Sequence, residues 1–250
     1  MTSSQQPPQA RPPQGALAGK VAIVTGASRG VGRAVAALFA AEGAAVVLAS
    51  RNLAALAANA ATIEAAGGRA LAVSTDVSDE QSVADLFART AAAFAPPDIL
   101  VNSAGAVARV PFEHMETAIW DEVLGVNLRG TFLCCRAAFR AMIPRGGVVV
   151  NLSSLSGVRG VEKFPGLSAY NTSKFGVAGL SEILAVEGRP HNIRVVAVSP
   201  GAVDTEMLRE AAPHLRAGMT PEELARILLF LVGPDARPLS GTNLEIFSNA

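Results

Sequence analysis

The chain predicts one α/β domain built on a doubly wound, parallel, seven-stranded sheet, and three observations carry that expectation. Short β-branched runs alternate with long alanine-rich helical stretches, the pattern of strand–helix–strand units around a parallel sheet. Half of the 250 residues are apolar and 17% are charged, enough for one full-sized core. A glycine-rich step, Thr25-Gly26-Ala27-Ser28-Arg29-Gly30-Val31-Gly32, joins the first strand to the first helix.

In chain order, Val21–Val24 reads as a strand bounded by glycines, and a helix with apolar residues at helical spacing runs from Arg33 to Glu42 and stops at Gly43. Val46–Ala49 is the second strand, and the helix from about Leu53 to Ala66 ends at Gly67-Gly68. Ala70–Val73 is the third strand, and Ser78 or Asp79 can cap a helix that reaches Phe94. Asp98–Val101 is the fourth strand. A long helical region from Phe112 to Met142 divides near Thr117, and Gly147–Val150 is the fifth strand. A helix from Ser168 to about Glu187 leads to the sixth strand, Ile193–Val198. A short segment after Asp204, a helix from Pro221 to Val232 and a strand from Asn243 to Phe247 complete the set. There is no internal repeat and no second domain, so residues 18–250 form the expected unit. Residues 1–17, rich in Pro and Gln and lacking an apolar core, read as a disordered leader rather than a signal peptide.

Composition narrows the partners. Acidic and basic residues balance at 21 each, which argues against a nucleic-acid or anionic-membrane surface, since both need a basic face. No apolar run reaches membrane-spanning length. The two cysteines, Cys134 and Cys135, are neighbours without disulfide or metal-ligand spacing. His114, His191 and His214 are scattered and form no metal or triad spacing, so no metal is expected. A reducing, cytoplasmic setting follows.

The glycine-rich step has a physical logic. Gly26 lets the chain turn at the strand's edge, Gly30 clears the place where a pyrophosphate must lie on backbone, and Gly32 lets the helix pack close. The helix N-terminus would then supply free N–H groups and partial positive charge to the phosphates, and Ser28, Arg29 and Val31 in this step are candidate cofactor-binding residues. The spacing is Gly-x-x-x-Gly-x-Gly, and no Lys-Ser or Lys-Thr follows to make a P-loop. The second strand ends in Ala49-Ser50-Arg51-Asn52, without the carboxylate that would hold a ribose 2′-hydroxyl and repel a 2′-phosphate. Arg51, with Arg29 able to approach the same place, favours NADP(H). One charge-assisted contact of roughly 1.5–3 kcal/mol would shift preference roughly 10- to 150-fold.

At the other end of the site, Tyr170-Asn171-Thr172-Ser173-Lys174 sets Tyr and Lys four apart on one helix face. Tyrosine titrates near ~10, too high for easy proton exchange at neutral pH. A neighbouring ammonium is expected to lower that value, and about three units correspond to roughly 4 kcal/mol. Tyr170 is the only tyrosine in the chain.

The glycine step, Asn102-Ser103-Ala104-Gly105, Asn127, Asn151-Leu152-Ser153-Ser154, Tyr170–Lys174 and Pro200-Gly201 occur in that order. Together, from about Gly19 to Phe247, they resemble the short-chain dehydrogenase/reductase family in its compact, Rossmann-like, single-domain form. The resemblance implies hydride transfer between NADP(H) and a small-molecule carbonyl or alcohol. It implies a tetrad of Asn127, Ser154, Tyr170 and Lys174, in which Ser154 begins the Ser-x-x-Gly step to Gly157 and holds the substrate oxygen. Tyr170 would exchange the proton, Lys174 would bind the nicotinamide ribose, and Asn127 would position a water joining Lys174 to solvent. Asp76 and Val77 would contact adenine, and Asn102, Ala104 and Gly105 would border the cofactor. In Pro200-Gly201-Ala202-Val203-Asp204-Thr205, the Val203 backbone and Thr205 hydroxyl would orient the carboxamide.

The chain departs from the family pattern in two places. Asn102-Ser103-Ala104-Gly105 replaces the usual Asn-Asn-Ala-Gly. Ser154 and Tyr170 are sixteen apart, longer than the family commonly has, and Glu162-Lys163-Phe164 reads as a three-residue insertion. That loop is expected to overhang the substrate pocket without displacing Ser154 or Tyr170. The short segment from Met207 to Met219 predicts an open pocket, lined near Val107 and Ser156. Helices around Phe132–Met142 and Gly176–Val186 are apolar on more than one face, and the family pairs such helices between subunits, implying a homodimer or homotetramer. A 3-oxoacyl-carrier-protein reductase is an alternative within the class, and a non-catalytic NADP(H)-binding protein is one outside it.

Overall fold

Uninterrupted β-branched runs mark strands that lose both faces to the interior. Every residue of β1 (Val21–Thr25) is buried, as is every residue of β2 (Ala45–Ser50) except Ser50. The computed structural model describes residues 15–211 and 215–247. Its seven strands form one sheet in the order β3-β2-β1-β4-β5-β6-β7, with every pair parallel. The remaining strands are β3 (Arg69–Ser74), β4 (Ile99–Asn102), β5 (Gly147–Leu152), β6 (Ile193–Pro200) and β7 (Asn243–Ile246). The chain winds outward from β1 to β3, then returns to the opposite side of β1 with β4. This reversal leaves a crevice at the C-terminal ends of β1 and β4, the position where open α/β sheets take ligands.

Alternation along the strands divides the core in two. Val46 and Leu48 join one cluster with α1 (Gly30–Ala41), α2 (Leu53–Ala65) and α8 (Pro221–Val232). Val47 and Ala49 face the other cluster, with α3 (Glu80–Ala93), α5 (Gly130–Met142) and α6 (Ser168–Gly188). Local chemistry fixes the helix starts. Asp79, not Ser78, caps α3 by accepting the Ser82 amide at 2.6 Å. Thr220 and Glu223 cap α8 reciprocally, with Pro221 in its first turn.

One expectation needs correction and another needs refinement. The leader does not extend to residue 17: the Ala16 and Leu17 amides donate to Glu42, each at 2.9 Å, and Leu17 is buried in the first cluster. An apolar side chain four residues before a strand had enough core to join. Residues 1–14, the rest of that expectation, lie outside the described residues, as does His214. The region from Phe112 divides near Thr117 as expected, but its first part is short and its second is interrupted. A single turn at Phe112–His114 is followed by α4 (Thr117–Leu124), which runs through a π turn at Gly125–Arg129 into α5. The wider turn carries Asn127. After Asp204 the chain forms one short helix, α7 (Glu206–Ala211). No helix among the described residues is long and apolar enough to cross a membrane.

The ends of β4 and β5 are tied to the helices by a buried polar network. Asn102 Nδ2 donates to Asn151 Oδ1 at 2.8 Å, and Asn151 Nδ2 donates to Ser181 Oγ on α6 at 2.9 Å. Cys135 Sγ lies between the two asparagines, 3.4 Å from Asn102 Nδ2 and 3.5 Å from Asn151 Oδ1. Burial pushes the Cys135 thiol up to about 12 and raises Cys134 further, so both stay protonated and pack. Ser181→Ala would orphan an Asn151 donor, and is expected to cost about 1–3 kcal/mol in urea unfolding. A loss below about 0.5 kcal/mol would mean that the network is slack.

Candidate active site

One cleft of about 1420 Å³ runs along the crevice from the glycine step to Tyr170. At its nucleotide end the backbone makes a cradle. Gly26 turns at φ +67°, where a Cβ would stand 2.8 Å from Ala104 backbone, and a Cβ on Gly32 would meet the Gly26 carbonyl oxygen at 2.4 Å. Only hydrogens fit at both places. Arg29 is the N-cap of α1, with extended backbone and no side-chain cap, so the first-turn N–H groups are left for a ligand. Ser28, Gly30 and Val31 line the cleft here. Thr25 Oγ1 accepts the Ser103 and Ala104 amides, each at 3.1 Å, which joins β1 to the β4 loop below Gly105. These features fit the pyrophosphate of a dinucleotide: amides converge on a space that side chains would fill.

Arg51 is exposed at the end of β2 and lines the same cleft, as do Asp76 and Val77. The Ser78 hydroxyl and amide, with help from Arg51, hold the Asp76 carboxyl below its usual range. Arg29 does not stand free to join Arg51. Its guanidinium pairs with Glu206 at 2.5 Å and approaches Glu210 at 3.8 Å, so α7 carboxylates claim the charge expected for a phosphate. Asn102 also departs from expectation, since its side chain serves the buried network.

At the other end, α6 and the turn after β5 bring the chemical groups together. Just past the end of β5, Ser153 and Ser154 take different partners. Ser153 is buried and donates to the Lys174 carbonyl at 2.8 Å, whereas the Ser154 side chain hydrogen-bonds the Tyr170 phenol. Lys174 is buried, donates to the Leu152 carbonyl at 2.8 Å, and lies 5.6 Å from the Tyr170 ring centroid. Asn127 is buried behind them. Its side chain accepts the Ala106 amide at 2.7 Å and donates to the Ala106 carbonyl and to Ser173 Oγ, each at 2.9 Å. Ser173 in turn donates to the Tyr170 carbonyl at 2.7 Å. The Asn127 carbonyl accepts the Thr131 hydroxyl at 2.7 Å. Asn127 therefore fastens the β4 loop to α6.

The expected direction of the Tyr170 shift is reversed. Burial raises its pKa, and the Ser154 hydrogen bond opposes only part of that rise. Burial also lowers Lys174 to about 8. Loss of water penalises both charged forms, and the ammonium spends a donor on Leu152 rather than on the phenol. The two titrations thus move apart, leaving a neutral phenol beside a lysine that changes charge just above neutrality.

Pro200, Gly201, Val203 and Thr205 form the third wall. Thr205 Oγ1 donates to the Val203 carbonyl at 3.3 Å and accepts the Leu208 amide at 3.2 Å, so it also starts α7. Val107, Ser156, Glu162 and Phe164 line the cleft around Tyr170. Two contributors were not anticipated. Asn59 on α2 donates to the Ala27 and Ser28 carbonyls at 3.0 and 3.1 Å, steadying the glycine step; its signal was a lone amide in an alanine-rich helix. Ser173 was visible between Tyr170 and Lys174, but its partner Asn127 lies 46 residues away. Among the described residues, no group of three His, Cys, Asp or Glu side chains could hold a metal ion.

Comparison with known proteins agrees with this architecture. The short chain dehydrogenase family model matches residues 20–216. Cis-4-hydroxycyclohexanecarboxylate dehydrogenase from Sinomonas cyclohexanicum is 39% identical, covering 92% of this chain and 96% of the relative. A 3-oxoacyl-[acyl-carrier-protein] reductase from Chlamydia trachomatis is 35% identical over 93% of this chain and 97% of that protein. The crystal structure of a short-chain type dehydrogenase/reductase from Mycobacterium marinum superimposes with a TM-score of 0.87 at 34% identity, covering 93% of this chain and 95% of that one. With the fold, the glycine cradle and a family match spanning most of its length, the chain belongs to the short-chain dehydrogenase family of nicotinamide-dependent oxidoreductases.

Proposed function

We propose that the protein is an NADP(H)-dependent oxidoreductase acting on a ketone or secondary alcohol, with Tyr170 as general acid and base. One observation carries this: the Tyr170 phenol, bonded to Ser154 and neighboured by buried Lys174, opens onto the cleft that contains the glycine cradle. The nicotinamide, when bound, supplies or accepts the hydride. Ser154 holds the substrate oxygen, and Tyr170 gives that oxygen a proton during reduction or takes it during oxidation. The raised pKa keeps the phenol protonated at neutral pH, as a donor requires. Lys174 holds the nicotinamide ribose and supplies positive charge as the phenol gives up its proton.

Gly26, Gly30 and Gly32 with the Ser28, Arg29 and Val31 amides hold the pyrophosphate. Asp76 and Val77 hold adenine, Ala104 and Gly105 border the nucleotide over Asn102, and Pro200, Gly201, Val203 and Thr205 hold the carboxamide. The NADP(H) preference rests on Arg51 and on the missing carboxylate after β2. A homodimer or homotetramer is supported by exposed Phe132 on α5 and Ile183 and Val186 on α6. The names of the two relatives support a substrate carrying a hydroxyl or oxo group. The carrier-protein reductase gives a second reading, in which the substrate is a 3-oxoacyl thioester.

Tyr170→Phe is expected to lower turnover by roughly 10²–10⁴-fold, with NADP(H) affinity nearly unchanged in a fluorescence titration. Unchanged turnover would overturn the proton-donor role. Arg51→Asp should move the NADP(H)/NAD(H) ratio of kcat/KM toward NAD(H) by roughly 10- to 150-fold. Because Lys174 carries its charge only below about 8, ketone reduction should hold steady at neutral pH and fall as pH rises through about 8. A kcat/KM profile that climbs across that range would contradict the assignment.

A further inference from the structure

The loop of Glu162-Lys163-Phe164, read from the sequence as an insertion, is tied into the site through Lys163. The Lys163 ammonium donates to the Val158 carbonyl at 2.5 Å and to the Leu155 carbonyl at 3.1 Å. It also lies over the Phe175 ring, 5.2 Å from the centroid. Those carbonyls flank the single turn, Leu155–Gly157, for which Ser154 is the N-cap. On its other side the turn touches α6, where a Cβ on Gly157 would stand 2.5 Å from the Lys174 carbonyl carbon. The turn is therefore held between the Lys163 ammonium and the stretch of α6 that follows Tyr170. Further along, the Gly166 carbonyl accepts the Val110 amide at 2.9 Å, so the loop is fastened at both ends. Between the two ties, Val161, Glu162 and Phe164 line the cleft.

A charged donor to a carbonyl is roughly twice as strong as a neutral one, and an aromatic face adds to its hold. Lys163 as a whole is exposed, and partial desolvation of its ammonium against these partners lowers its pKa. A short loop held in this way is a fixed wall rather than a flap.

We propose that Lys163 is a positioning residue that sets substrate range. It fixes the inserted loop beside Ser154 and Tyr170, so that the pocket takes compact ketones and secondary alcohols and rejects those with bulk on the loop side. This rests on the oxidoreductase reading of Tyr170 and Ser154, but the loop's rigidity can be measured without it.

The test compares wild type, Lys163→Met and Lys163→Arg in two measurements. In hydrogen–deuterium exchange, amides of residues 158–164 should exchange at least about tenfold faster in Lys163→Met, with the sheet unchanged. With ketones of graded branching, kcat/KM for branched relative to compact ketones should rise about tenfold in Lys163→Met, mainly through KM. NADP(H) affinity should stay within about twofold, and Lys163→Arg should return both readouts toward wild type. Unchanged loop exchange would overturn the proposal, as would faster exchange without a change in the ratio, or an equal loss for every ketone. A Lys163→Met chain that fails to fold would also overturn it, because Lys163 would then be a core residue. A wild type inert toward every ketone would instead sink the oxidoreductase reading, while the exchange measurement would still judge Lys163.

Discussion

The contact on which the rest depends is backbone against backbone, where Gly32 of α1 lies over the Gly26 carbonyl. With a Cβ at 2.4 Å from that oxygen the helix could not come so close to the end of β1. The approach aims the uncapped N-terminus of α1 along the crevice where the sheet reverses its winding. It brings Gly30 against the Thr205 methyl, so the glycine step also meets the segment that starts α7. One close approach thereby sets the cradle, the mouth of the cleft and the seat of the short helix that borders it.

The chemical end follows a different rule. Its groups are placed by hydrogen bonds that cross long stretches of sequence, and its electrostatics are set by loss of water. Lys174 is 6% exposed, which accounts for its fall to about 8 and leaves few partners to stabilise the ammonium. The asparagine–serine network under β4 and β5 and the Asn127–Ser173 link hold the surrounding backbone, so burial is tolerated without collapse of the cleft. Neutral amides and hydroxyls make up this scaffold, and none of them changes charge when the site does.

Much of the fold was legible because both periodicities were clean. Val46–Ala49 alternates between two cores, and the stops at Gly43 and Gly67 fall where α1 and α2 end. What escaped were features decided by tertiary contact. Leu17 joins the core only because the Glu42 carboxylate and carbonyl capture the chain before β1. The π turn that carries Asn127 leaves no mark in helical spacing. At the site, residue identities and order were readable, but the directions of the side chains were not. Arg29 reads as a free cation until α7 brings Glu206 beside it, and the sign of the Tyr170 shift depends on burial that no i, i+4 spacing encodes.

The enclosure of Tyr170 has an optical consequence. It is the only tyrosine in the chain, so ionisation of one phenol accounts for all the tyrosinate absorbance the folded protein can develop. Because burial holds that phenol protonated beyond its ordinary range, the signal of the folded chain should lag behind that of the unfolded chain on an alkaline ramp. A proton at the centre of the site is thus visible in the ultraviolet spectrum of the native protein, without a label.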